Sequence, residues 1–137
     1  MTWYSQAMRP VVRVMWAAPT TAIGAMLLLA GAWHVRLRIV DGVIEAHGPA
    51  LGWMLTTLVP ISGGASALAL GHVVIAGDER SLEETRSHER VHVRQCECWG
   101  PFFIPAYLAG SLIAVSRGRH YYYDNPFERE AYRAARK

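Results

Sequence analysis

The sequence predicts an α+β protein, in which a small antiparallel or mixed sheet packs on two helices from the C-terminal half. Apolar and charged residues alternate before Asp41-Gly42, and apolar residues resume after it, which indicates a β-hairpin. Polar stretches beginning at Ser81 and Asn125 each open with a capping residue, as helices do. The chain has 137 residues, which suits a single domain with its own core.

The charge of the chain is modest and spread out. The formal net charge is +3, and the sequence has no basic stripe with interleaved aromatic residues. We therefore expect no nucleic-acid partner. Cys96 and Cys98 are separated by one residue on a predicted helix, so their side chains diverge, which argues against a mutual disulfide and favours a reducing compartment. Cys96 is interpreted as a small buried thiol, with a role as metal ligand as the alternative.

Three segments lack Asp, Glu, Lys and Arg, namely residues 14–35, 46–77 and 98–116. Prolines and glycines interrupt the second segment, so it is not a credible membrane span. The third is interpreted as a buried core helix or helical hairpin, re-entrant at most. Residues 14–35 are either a membrane anchor or an N-terminal core helix, and we expect a cytoplasmic or membrane-associated protein.

The N-terminal half contains short elements. Residues 17–33 predict a helix with Pro19 in its first turn. A half-exposed strand with alternating residues 35–39, the Asp41-Gly42 turn and a second strand at residues 43–47 follow. Residues 50–58 predict a short apolar helix, and residues 61–65 a glycine-rich turn.

Residues 66–76 have the composition of one buried strand, in which Gly71 allows a bulge or a close approach by another segment. This strand precedes the polar helix. It either offers an edge to an extended peptide or lies inside the sheet, and both readings stay open.

The polar helix is predicted over residues 82 to about 98, with Ser81 as N-cap and Glu84 at the third position, and it ends before Gly100-Pro101. It carries the pattern HExxH, in which His88 and His92 share one helix face. Two imidazoles at this spacing can bind one Zn²⁺, and Glu89 between them is placed to act as a general base.

A catalytic zinc site needs a third protein ligand. The candidates downstream are His120, Asp124, Glu128 and Glu130. Glu128 lies on a final helix with Asn125 as N-cap and Pro126 at its first position, where a glutamate is also favoured by the helix dipole alone.

HExxH followed by Glu128-Arg129-Glu130-Ala131-Tyr132 resembles the gluzincin class of zinc metallopeptidases, in particular the membrane-associated CAAX-prenyl and heat-shock metallopeptidases. It is also similar to small bacterial HExxH proteins with an Asn-Pro-Phe-Glu-Arg-Glu block. The resemblance covers about residues 66–134. It does not explain the N-terminal half, but it implies a minimal zincin-like fold with His88, His92 and Glu128 as ligands of Zn²⁺, and we expect one such domain over residues 1–137. The chain departs from the family motif at Tyr132, where an aspartate would support the histidines.

The resemblance implies hydrolysis of peptide bonds by a metal-activated water, with Glu89 as general base and a peptide or protein as substrate. His120, Tyr132 or a tyrosine of residues 121–123 is expected to stabilise the oxyanion. One alternative is a non-catalytic metal-binding protein that keeps the scaffold. Another is a membrane-associated interaction module in which HExxH is fortuitous.

Overall fold

A computed structural model describes residues 10–137, and these form a mixed α and β structure. The first nine residues of the chain lie outside this range. The elements in chain order are α1 (Pro10–Ala30), β1 (Arg36–Val40), β2 (Val43–His47), α2 (Pro49–Leu58), β3 (Ala67–Leu70), β4 (Val73–Ala76), α3 (Glu79–Trp99), a 3₁₀ turn (Gly100–Phe102), α4 (Phe103–Ser116) and α5 (Pro126–Ala135).

The four strands form one mixed sheet in the order β1-β2-β4-β3. β2 and β4 are parallel, whereas β1 and β3 run antiparallel to their neighbours. One face buries Val43, Val74 and Ala76 together with Leu82 and Val93 of α3. On the other face, side chains of α1 and α2 pack against the sheet, including Leu27, Leu51 and Leu55. The sheet is therefore covered on both faces by helices.

The predicted β1–β2 hairpin is confirmed. Asp41 and Gly42 have φ angles of 49° and 77°, which suit the twist of a two-residue turn. The inward-facing polar side chain of β1 is Arg38, which binds Glu45, whereas Leu37 and Ile39 are exposed. The alternation is thus as predicted, but the apolar face points outward.

The prediction of one strand over residues 66–76 was wrong, because β3 and β4 form a second hairpin there. Gly71 has a φ of 60° and turns the chain back at Gly71-His72. A Cβ at Gly71 would lie 2.1 Å from Thr21 Oγ1, so the predicted close approach of another segment does occur. The turn was hidden because both strands are apolar and no run of polar residues separates them.

In the described residues α1 already includes Pro10 and has Pro19 in its interior, so the predicted start near residue 17, with Pro19 in the first turn, was wrong. The helix packs through the small residues Ala17, Thr20 and Gly24, and Thr20 Oγ1 donates to Gly100 O at 3.1 Å. One side of α1 therefore packs on the core, and its other side is exposed.

α3 is longer than predicted at its start. Its N-cap is Asp78, whose carboxylate accepts a hydrogen bond from Ser81 N at 2.8 Å, so the assignment of Ser81 as N-cap was wrong. Asp78 lies two residues after the end of β4 and directly before Glu79, so it caps the helix three residues earlier than Ser81 would. The helix ends at Trp99, and Gly100 follows with a φ of 54°, as predicted.

α4 is one helix and not a buried core helix or hairpin, which corrects the prediction for residues 98–116. Only Phe103, Gly110 and Ala114 are buried in it, because the sheet is already covered by α1, α2 and α3. By length and composition alone, two helices, α1 and the continuous helical stretch of residues 79–116, could cross a membrane.

Candidate metal centre

The candidate centre begins on α3, where His88 and His92 lie one turn apart in mid-helix. Their Nε2 atoms face each other at 3.1 Å. A hydrogen bond across this gap uses the N–H of one ring and the lone pair of the other. Binding of one cation would instead use both Nε2 lone pairs, with each ring protonated at Nδ1.

α5 brings Glu128 to the same space. Asn125 caps this helix by accepting from Phe127 N at 3.0 Å, as predicted, and its amide donates to Tyr107 O and Ser111 Oγ of α4, both at 2.9 Å. The fully buried Asn125 thereby fixes the start of α5 against α4 and sets the position of the carboxylate.

The three donor atoms form a compact triangle. Glu128 Oε2 lies 3.1 Å from His88 Nε2, and Glu128 Oε1 lies 3.4 Å from His92 Nε2. Ligands of a tetrahedral ion at bond lengths of about 2.1 Å are separated by about 3.4 Å. Two imidazole nitrogens and a carboxylate oxygen are thus spaced as ligands of one Zn²⁺-sized ion, and this group can hold a metal.

Hydrogen bonds leave this group incompletely satisfied. Glu128 Oε2 and His88 Nδ1 are buried and have no hydrogen-bond partner within residues 10–137. The short distance from Glu128 Oε2 to His88 Nε2 is a contact without hydrogen-bond geometry. Because an unpaired buried carboxylate oxygen is costly, this arrangement favours a cation as its partner.

The pKa values of Glu128 and His92 are both shifted from their ordinary values. Burial of Glu128 opposes its ionisation, but the close imidazoles of His88 and His92 and the Tyr107 hydroxyl hold its pKa well below the usual range. Burial would lower the pKa of His92, yet the neighbouring Glu128 and Glu89 carboxylates raise it to about 9. In the absence of a cation the protein thus places a proton where a metal would go.

Gln95 orients His92, and the sequence did not single it out. Its Oε1 lies 2.8 Å from His92 Nδ1, and its amide donates to Phe127 O and Glu130 Oε2 at 3.1 and 2.8 Å. A hydrogen bond at Nδ1 fixes the orientation of the imidazole whose Nε2 faces the other two donors. The only signal was its position one turn after His92 on the same helix.

Glu89 is buried beside the three donors. Burial raises the pKa of Glu89, while the His92 and His88 imidazoles and the Ala69 backbone N–H partly oppose the rise. The shift is in the direction that favours a general base at neutral pH. Glu89 and the three candidate ligands line the same cavity.

This cavity has a volume of about 430 Å³ and a mostly apolar wall. β3 forms one side of it and pairs only with β4 among the strands of the described chain. α1, α4 and the loop after α2 contribute the other apolar walls, through Ile23, Val59, Pro60, Ile61, Phe103, Ile104 and Leu108.

Two further tyrosines line the cavity. Tyr107 was not identified from the sequence, and Tyr122 was not distinguished there from the adjacent tyrosines. Tyr107 donates to Glu128 Oε1 at 2.6 Å, and no motif marked it. Tyr122, one of three adjacent tyrosines, has its hydroxyl 3.4 Å from that of Tyr132. Burial raises the pKa of both Tyr107 and Tyr122, so both remain proton donors at neutral pH.

The two predicted oxyanion donors occupy different places. The Tyr132 ring lies 4.5 Å from the His88 ring and is 38% exposed. His120 is exposed, and its Nδ1 accepts from Tyr122 N and Tyr123 N at 3.1 and 3.3 Å. Neither is among the residues that line the cavity, and His120 organises the tyrosine turn instead.

The remaining alternative ligands are engaged elsewhere. Glu130 binds Gln95, and Asp124 Oδ2 accepts from His120 N at 3.0 Å. Cys96 Sγ accepts from Gly71 N at 3.4 Å, and burial raises its pKa to about 12, so it is the buried thiol that was predicted.

Comparison of the chain with models of protein families, with curated proteins and with solved structures finds no match.

Proposed function

We propose that this protein is a zinc-dependent metallopeptidase with a minimal zincin-like, gluzincin-type site. The observation that carries the proposal is the shared cavity, in which the buried Glu89 carboxyl lies beside the convergent donors of His88, His92 and Glu128. A site that only stabilises the fold has no need of a second carboxyl, placed as a base, in an accessible cavity.

The donor set suits Zn²⁺. Two imidazoles and one carboxylate are a ligand set of catalytic zinc sites, which keep one position open. Bound Zn²⁺ supplies a Lewis acid that polarises a carbonyl and lowers the pKa of a water toward neutrality.

The side chains of this chain would carry the proton and orient the reacting groups. Glu89 would accept a proton from the attacking water and pass it to the leaving amine, a role supported by its raised pKa. Tyr107 and Tyr122 line the cavity and carry hydroxyl donors. The hydroxyl of Tyr132 lies next to that of Tyr122, at 3.4 Å, although Tyr132 itself does not line the cavity. These tyrosines are the candidates for stabilising the oxyanion.

The substrate that best fits the cavity is an extended peptide with a bulky apolar side chain near the scissile bond. The free edge of β3 can bind a peptide backbone by strand addition. Leu68, Ile104 and Leu108 supply an apolar wall for a side chain.

The test is the substitution Glu89→Gln in the zinc-loaded full chain, assayed on unstructured peptides with apolar or charged side chains. We expect unchanged zinc stoichiometry and a loss of hydrolysis of at least about 10²–10⁴-fold, the usual contribution of a general base. The matched control is Glu83→Gln, an exposed glutamate on the same helix, which should keep full activity.

Equal hydrolysis by Glu89→Gln and the parent protein would overturn the mechanism. Stoichiometric zinc without hydrolysis of any peptide by the parent would favour the non-catalytic metal-binding alternative. Absence of stoichiometric metal would overturn both.

A further inference from the structure

Two helices expose apolar side chains on the outside of the molecule. On α1 these include Ile23, Met26 and Leu29, and on α4 Leu108, Leu112 and Val115. We call these six residues the lipid face. Large contiguous apolar patches on a protein surface mark sites of interaction, so a partner for this face is expected.

The two halves of the lipid face meet at the mouth of the cavity. Ile23 and Leu108 are both exposed, and both also line the cavity. The apolar surface therefore continues from α1 across the cavity rim to α4, and the cavity opens on this face.

We propose that the lipid face binds the surface of an anionic phospholipid bilayer, with α1 and α4 lying in the interface. The apolar side chains would enter the acyl boundary while the rest of the domain stays in water. This inference concerns membrane attachment and does not depend on the proposed peptidase activity.

Packing explains why the two helices lie in the interface and do not cross the bilayer. The middle of α1 rests on backbone of the domain, because a Cβ at Gly24 would lie 2.7 Å from Leu70 O. The middle of α4 is held by the Tyr107–Glu128 hydrogen bond. A crossing orientation would carry the buried charges of the metal centre into the hydrocarbon core.

The charge pattern favours an anionic bilayer over a second copy of the chain. Residues 14–35 and 98–116 contain no Asp, Glu, Lys or Arg, and the exposed Arg117 and Arg119 lie within three residues of the end of α4. Anionic headgroups complement these arginines. A second copy of the chain would bring the same arginines to the interface, and its matching face would supply no acidic group to pair with them.

The experiment is flotation of the full chain with preformed vesicles of phosphatidylcholine, with and without phosphatidylglycerol. We expect flotation with the anionic vesicles, and a marked decrease with neutral vesicles or high salt. Arg117→Gln with Arg119→Gln should remove most of the preference for anionic lipid.

The variants compare matched pairs of exposed apolar residues. Leu112→Glu with Val115→Glu places charge at side chains that are 71% and 54% exposed, and should lower binding on the order of tenfold or more. The control, Leu37→Glu with Ile39→Glu on β1, alters side chains that are 56% and 70% exposed and should float like the parent. Circular dichroism and metal content verify that both variants fold.

The proposal is overturned if the parent stays in solution, or if the Leu112 and Val115 variant floats as well as the parent. A stable dimer that dissociates on the same substitutions, without flotation of the parent, would assign the face to a second copy. Equal flotation with neutral vesicles at any salt would overturn the anionic preference.

A labelling experiment separates an interfacial helix from a spanning one. Cysteines introduced by Pro10→Cys or Trp33→Cys flank α1, in a Cys98→Ser background where Cys96 is buried. Both should react with a membrane-impermeant maleimide added outside sealed vesicles. Protection of one position alone would show that α1 crosses the bilayer and overturn the interfacial arrangement.

Discussion

Two buried carboxylates of this protein lie against α3, and they differ in how their oxygens are satisfied. Glu45 is 2% exposed, and both of its oxygens accept hydrogen bonds from Arg38, Arg86 and Arg90 at 3.0–3.1 Å. Glu128 is 3% exposed, but one of its oxygens has no hydrogen-bond partner in the described part of the chain.

The partners of the two carboxylates also differ in kind. Guanidinium groups are permanently charged, so both Glu45 oxygens keep their partners at every ordinary pH and join β2 to α3, although Arg38 Nη2 has no hydrogen-bond partner among the described residues. Imidazoles can give up their protons and bind a cation instead. Burial of a carboxylate alone therefore does not indicate a functional site. A buried carboxylate oxygen without a hydrogen-bond partner, beside imidazoles that can release their protons, does favour one.

The largest expected effect is a loss of zinc affinity when the Glu128 carboxylate is removed. Glu128→Gln should lower zinc affinity by more than the 10–100-fold (roughly) that supporting residues contribute, because it removes a direct ligand. Calorimetric zinc titration measures the loss. The matched control is Glu97→Gln, whose carboxylate also faces an imidazole, that of His72, at 3.0 Å and should keep its zinc affinity. Equal loss in both variants would contradict the assignment of Glu128.

The second effect concerns stability. Glu45→Gln should lower the free energy of unfolding by about 3–5 kcal/mol, because it leaves three arginines around a neutral side chain, while zinc affinity stays unchanged. Urea denaturation measures this change. Glu79→Gln removes only the exposed partner of Arg38 and should cost less than about 1 kcal/mol. A small effect at Glu45 would mean that the cluster is not structural.

The third effect depends on pH in the metal-free protein. The pKa of His92 is raised from 6.5 to about 9, so its contribution to stability is complete below pH 6.5 and is lost as the pH rises through about 9. The loss should be at most about 3 kcal/mol. Thermal unfolding across this range measures it, and His92→Gln should abolish the dependence. With zinc bound, His92 is neutral throughout, and a persistent slope would contradict its role as ligand.

The smallest effect tests the support of His92. Gln95→Ala should lower zinc affinity by about 10-fold, near the lower end for residues that orient a metal ligand. Arg94→Ala, an exposed neighbour on α3, serves as control and should bind zinc like the parent. Zinc competition with a chromophoric chelator resolves this difference. An unchanged affinity would show that Gln95 only packs.

The local parts of the candidate site could be predicted, and the long-range parts could not. His88, Glu89 and His92 follow from helix periodicity, which depends on neighbours within one turn. Glu128 came from a resemblance to known peptidases, and its convergence with the imidazoles depends on how α4 and α5 pack. Tyr107 is 21 residues from Glu128 in the chain, and no local pattern indicates such a contact.

Two errors of fold prediction concern apolar segments and have different causes. Residues 66–76 are largely buried, as expected, but they form a hairpin because Gly71 reverses the chain where no polar run marks a turn. Residues 98–116 remain largely exposed because other helices already cover the sheet, and hydrophobicity carries no information on which surfaces remain available for packing.

The sequence by itself determined the two capped helices, the Asp41-Gly42 hairpin and the spacing of the HExxH residues, because each depends on short-range steric and hydrogen-bonding rules. Only the tertiary structure decided that Glu128 meets both imidazoles, that Gln95 and Tyr107 support them, and that the cavity opens between α1 and α4. These features arise from packing between segments distant in the chain, where many arrangements share the same local preferences.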